Sequence, residues 1–166
     1  MNITIVERPA LLAVVLKIPR DGGEVRRAWQ AVNAAMEGHP ARANGEFGLV
    51  FIPEWQWKSE VTTLWVGVEV SSLEGLPEGF ETISIPARQY AKTTVRGDRE
   101  RMNETYGALF EWFAQGEYER DMAEGSLGFE ENRLSPVNPF DIPADEIDEF
   151  DFDIYAPIAG RKEASA

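Results

Sequence analysis

Leu64-Trp65-Val66-Gly67-Val68-Glu69-Val70 is the stretch from which the fold can be read. Val66, Val68 and Val70 share one side of an extended segment and Trp65, Gly67 and Glu69 the other, because successive side chains of a strand alternate. One side belongs to a core; the other is free to form a pocket wall. The strand spans Val61 to Val70. A second strand, Glu46 to Ile52, precedes it across the connector 53–60, which holds Trp55 and Trp57.

Further upstream, Asp21-Gly22-Gly23-Glu24 has the spacing of a capping box, and Val25, Ala28, Trp29, Val32 and Met36 then recur on one helical face. The helix runs from about Gly22 to Glu37, with Gly38 placed to stop it and 39–45 as loop. Ile3, Ile5 and Leu11 to Ile18 read as the first strand, interrupted by Pro9 and closed by Pro19. This half of the chain is strand, helix, strand, strand.

Ser71 to Glu78 reads as a linker, and the same order of elements then returns. Phe80 to Val95 is a long strand bent at Pro86. Asp98 caps a helix carrying Met102, Tyr106, Leu109, Phe110 and Phe113, which Gly116 ends. Glu117 to Glu124 is expected to be an extra helical turn. Leu127 to Leu134 and Glu149 to Ile158 are the last strands, Ser135 to Asp148 a surface loop, and 160–166 a disordered tail. The pattern predicts one α+β domain, 1–159, made of pseudo-repeats 1–72 and 78–159 in strand-helix-strand-strand (SHS2-type) order. Their strands form a curved antiparallel sheet with both helices on one side and the opposite concave face free.

Composition narrows the function. With 166 residues and a net charge of -13, the chain lacks the basic face that a phosphate backbone needs, so no direct nucleic acid binding is expected. There is no cysteine, and His39 is alone, which excludes thiolate sites, Cys nucleophiles and His-based triads. The acidic run Asp145 to Asp153 lacks the spacing of a calcium loop. No metal, no cofactor and no membrane association are expected, and the location is taken as cytoplasmic, since the N-terminus carries no signal-like segment.

Several segments together carry a family likeness: Leu64 to Val70, Leu76-Pro77-Glu78-Gly79-Phe80, Ile85 to Ala91, Asn103 to Tyr106, Phe110 to Phe113, Phe129-Glu130 and Ile154 to Ile158. The chain resembles the GyrI-like small-molecule-binding domains, the effector-binding domains of bacterial multidrug-sensing regulators. It looks like a stand-alone member. The resemblance implies a central pocket at the junction of the halves for flat, hydrophobic, often cationic molecules, with Glu130 on the penultimate strand as its carboxylate. Glu131 makes that position ambiguous by one residue, and Asn132 stands where the family has Tyr. Phe129, Trp65, Tyr106, Tyr155 and Trp112 are further expected ligand-binding residues, with Trp55 and Trp57 as a lid.

A carboxylate among rings selects positive charge, since burial disfavours its ionised form and a cation supplies the missing countercharge. The same constellation suits acid/base chemistry. The resemblance also implies two alternatives, a hydrolase of reactive cyclopropanoid toxins, using Glu130 and Tyr106, and a gyrase-inhibitor-like partner protein.

Overall fold

The computed structural model describes residues 2–163. Its elements in chain order are β1 (Thr4–Arg8), β2 (Leu11–Pro19), α1 (Gly22–Met36), β3 (Phe47–Pro53), β4 (Thr63–Val70), β5 (Glu81–Ile85), β6 (Arg88–Gly97), α2 (Arg99–Gln115), β7 (Tyr118–Arg120), β8 (Leu127–Arg133) and β9 (Phe150–Arg161). All described pairings are antiparallel, in the order β1-β6-β9-β8-β3-β4-β2-β5, with β7 joining β9 beyond the end of β8. This is the expected α+β fold with two halves of the same order. Both helices lie on one side of the sheet.

The caps explain the helices. Asp21 accepts from Glu24 N at 3.0 Å and Asp98 from Arg101 N at 2.8 Å, each satisfying an amide that the first turn leaves unpaired. Val32 and Met36 of α1 pack on Val14, Val68 and Val70. Leu109 and Phe113 of α2 pack on Ala91, Val95, Phe152 and Ile154. Trp29 and Tyr106 each fall eight residues after the cap of their helix and are equivalent positions in the two halves.

The edges show how the halves are joined. β1 leads into β2 yet pairs with β6, and β5 leads into β6 yet pairs with β2. Each half therefore lends its leading strand to the other. For this reason Phe80 to Val95 is two strands instead of one bent strand: Pro86 and Ala87 carry the chain from the β5 edge to β6, which lies between β1 and β9 at the other end of the sheet order. The segment expected to turn helically after α2 is the short strand β7, held by pairing to β9 and by Tyr118 stacked on Trp112. Gly160 and Arg161, assigned to the tail, end β9; residues 164–166 lie outside the described residues.

The concave face is filled, contrary to expectation. Trp65, Phe51, Phe129 and Tyr155 form one continuous row across β4, β3, β8 and β9. Arg8 from β1 lies over it, 5.1 Å from the Phe129 ring and 4.6 Å from that of Tyr155, and pairs with Glu131 at 3.0 Å. Arg8 also comes to 3.9 Å from Glu69. These contacts join strands from distant places in the sheet order, which requires the sheet to curl. Gly67 permits the curl, since a Cβ there would sit 1.9 Å from the Val14 carbonyl oxygen.

Candidate functional site

Glu130 interrupts an apolar row on the helix side of the sheet. Its register partners are Val50 on β3 and Ile154 on β9, and the row continues to Val66 and Leu16 on one side and Thr93 on the other. The pleat thus decides the one-residue ambiguity between the two glutamates. Glu131 points to the concave side, where Arg8 holds it, and Glu130 points toward the helices. At the join of the halves Val50 occupies in β3 the position that Glu130 occupies in β8.

A cavity of about 260 Å³ opens above Glu130, lined by Val50, Ile52, Val61, Leu64, Trp57, Met102, Asn103, Tyr106 and Arg20. Glu130 is half-buried, reached only through the cavity at whose floor it lies. That position governs its charge: burial pushes it up to about 7, against the Tyr106 hydrogen bond and the Arg20 charge, which favour the ionised form. The Tyr106 hydroxyl donates to Glu130 Oε2. Burial, followed by the adjoining carboxylate, pushes Tyr106 well above its ordinary value, so it remains a neutral donor.

Trp57 closes one side. It sits on the short 3-10 turn Glu54–Lys58 after β3, tilted against Tyr106 at 5.8 Å and edge-on to Phe110 at 5.3 Å. The turn is anchored from beneath by Glu54, whose carboxylate takes Arg120 Nε at 2.8 Å and Nη2 at 3.2 Å. Burial pushes the Glu54 carboxyl up and Arg120 pulls it back. The Arg120 guanidinium lies 5.4 Å from the Trp57 ring and 4.7 Å from that of Phe110. Gly128 makes room for this, since a Cβ there would lie 2.0 Å from Glu54 Oε1.

The structure brings three of the sequence-selected residues, Glu130, Tyr106 and Trp57, to one cavity. It places the others elsewhere. Phe129, Trp65 and Tyr155 line the concave side because strand alternation turns them away from Glu130, and Trp55 lies against Trp65 at 6.5 Å. Trp112 packs on Phe113 and Tyr118 at the far end of α2. Asn132 is on the helix side, buried opposite Gly48, where Trp29 and Phe140 stack at 4.8 Å. Trp29 is the counterpart of Tyr106, so the equivalent space in the first half is plugged by a ring pair.

Arg20, Met102 and Asn103 were missed by sequence reasoning. Met102 and Asn103 lie one helical turn before Tyr106, so its spacing carried a signal for them. Arg20, outside any periodic element, had none. The described residues hold no cluster of three or more His, Cys, Asp or Glu side chains placed to bind a metal. None of their helices is long and apolar enough to cross a membrane.

A family model described as "Integron-associated effector binding protein" (Cass2) matches residues 4–158. Among solved structures, the EcmrR C-terminal domain has a TM-score of 0.72 at 12% identity, over 96% of this chain and 98% of that one. SAV2435, solved bound to tetraphenylphosphonium, has 0.65 at 14%, over 96% and 95%. An integron cassette protein from the mobile metagenome of Vibrio cholerae has 0.53 at 10%, over 94% and 95%. At such identities the likeness is one of fold, and it is the fold that the GyrI-like resemblance implied. No curated protein matches the chain.

Proposed function

The chain belongs to the Cass2 family of integron-associated effector-binding proteins, and from that membership we propose that it binds hydrophobic, cationic small molecules in the cavity above Glu130. The observation that carries this reading is a lone carboxylate at the floor of a cavity whose other lining is aromatic and apolar apart from Asn103 and Arg20, with Tyr106 as its only hydrogen-bonding side chain among the described residues. A cation entering there restores the countercharge that burial removes, and the faces of Trp57 and Tyr106 add cation-π attraction of about 0.5 to 2 kcal/mol each. The tetraphenylphosphonium seen on SAV2435, a protein of the same fold, supports a cationic ligand.

The cavity of about 260 Å³ sits just below the range of about 300 to 1,000 Å³ usual for drug-sized ligands. A larger ligand requires the Trp57 ring, which closes one side of the cavity, to rotate on its anchored turn. Titration with a planar cationic dye, followed by tryptophan fluorescence, is expected to show quenching that Glu130→Gln abolishes. Unchanged affinity in that variant overturns the reading.

One observation favours a second reading. A carboxyl titrating near 7 and bonded to a phenol is poised for general acid/base work, as a cyclopropanoid hydrolase requires. Mass spectrometry of a strained cyclopropane substrate incubated with the protein decides it: product formation lost in Glu130→Gln supports hydrolysis, and unchanged substrate excludes it for that compound.

A further inference from the structure

Arg20 stands on the rim of the cavity whose floor is Glu130. The chain has 29 acids against 16 Lys and Arg, so acidic partners are plentiful. Yet among the described residues Arg20 forms no ion pair and no side-chain hydrogen bond. Its neighbour Asp21 is the nearest acid along the chain, and that carboxylate is occupied in capping α1. The backbone of Arg20 is tied down, its N–H donating to the Thr62 carbonyl at 2.9 Å, so the side chain starts from a fixed point at the cavity edge and is itself exposed. Its charge is felt at Glu130. The cavity is therefore bipolar: a carboxylate below, a free guanidinium above, and apolar walls from Val50, Ile52 and Leu64 between them.

From this we infer that the cavity selects zwitterions, compact aromatic bodies with an amine or amidine for Glu130 at one end and a carboxylate or similar anion for Arg20 at the other. The inference rests on the cavity being the binding site proposed above. A simple cation gains Glu130 but meets a like charge at the rim. A zwitterion turns that repulsion into a second pair, while its two charges together match the site without altering its net charge. An exposed guanidinium favours a planar anion in this role because its fork of N–H groups donates to two oxygens at once.

Benzamidine and 4-carboxybenzamidine differ by one carboxylate and suit a cavity of this size. Calorimetric titration of the full chain at pH 8 compares them on wild type, Arg20→Gln, Arg20→Lys and Glu130→Gln. Wild type is expected to bind the zwitterion about three- to tenfold more tightly than the cation, as a partly exposed ion pair allows. Arg20→Gln abolishes the difference and strengthens benzamidine by removing the like charge, Arg20→Lys keeps part of the difference, and Glu130→Gln weakens both ligands. Equal affinities on wild type, or a preference that survives Arg20→Gln, overturn the zwitterion assignment and leave the cation reading standing. Affinities indifferent to Glu130→Gln, or no binding of either probe, overturn the cavity reading and this inference with it.

Discussion

Glu130 binds its proton more tightly in the folded chain than in the unfolded one, because folding raises it from 4.5 to about 7. Its contribution to stability is therefore complete below about 4.5 and lost as pH rises through 7. Wild type is expected to lose stability relative to Glu130→Gln between pH 5 and pH 8, read as the difference in urea midpoints; parallel profiles would remove the buried carboxyl from the account. A cation binds the ionised form, so the affinity of a cationic probe rises up to about tenfold per pH unit below 7 and levels above it. Alternation alone requires Phe129 and Glu130 to face opposite ways, and a sequence reading that put both in one pocket overlooked it. What alternation leaves open is which side meets the helices. That depends on the pairing of β8 with β3 and β9, where Val50 and Ile154 flank Glu130.

The turn that carries Trp57 is fixed by a buried pair at the scale of elements. Glu54 and Arg120 have side chains only 1% and 5% exposed, so each is costly without the other. Arg120→Met alone is expected to destabilise the fold by about 3 to 5 kcal/mol by stranding Glu54, whereas Arg120→Met with Glu54→Leu costs much less. Chemical denaturation of the two single variants and the double variant measures the coupling; additive losses would mean that the pair holds nothing. Both helices were legible because each combines a capping Asp with a 3.6-residue apolar face. β7 was not, since three residues have no period and their pairing partner lies at the end of the chain. The break at Pro86 was visible, but nothing local says that β5 pairs with β2 while β6 pairs with β1 and β9.

Across the whole molecule, Arg8 ties the curl of the sheet together. It comes from β1 at one edge and reaches Glu131 on β8 and Glu69 on β4. Arg8→Ala leaves the Glu131 carboxylate nearly buried and unpaired, and is expected to cost about 3 kcal/mol. Arg8→Ala with Glu131→Gln should recover most of that loss in urea denaturation. If the double variant is as unstable as Arg8→Ala, packing of Arg8 on Phe129 and Tyr155 matters more than its charge. The sequence held no sign of this contact, because the partner strands lie sixty and more residues from Arg8. The acidic composition likewise concealed the free charge of Arg20.

The exchange of leading strands between the halves also bears on how such a site can arise. A lone half would lack an edge strand of its own sheet and could complete it only by embracing an identical copy, each lending β1 to the other. In that symmetric pair the positions of Val50 and Glu130 would carry the same residue. Two glutamates would then face each other across the axis at about 5 Å, repelling and sharing a proton, and two valines would leave no charge at all. Joining both halves in one chain lifts that constraint: one copy keeps an apolar residue, the other acquires the acid. A single unopposed carboxylate at the junction of two like halves is thus an asymmetry that a pair of identical copies cannot offer.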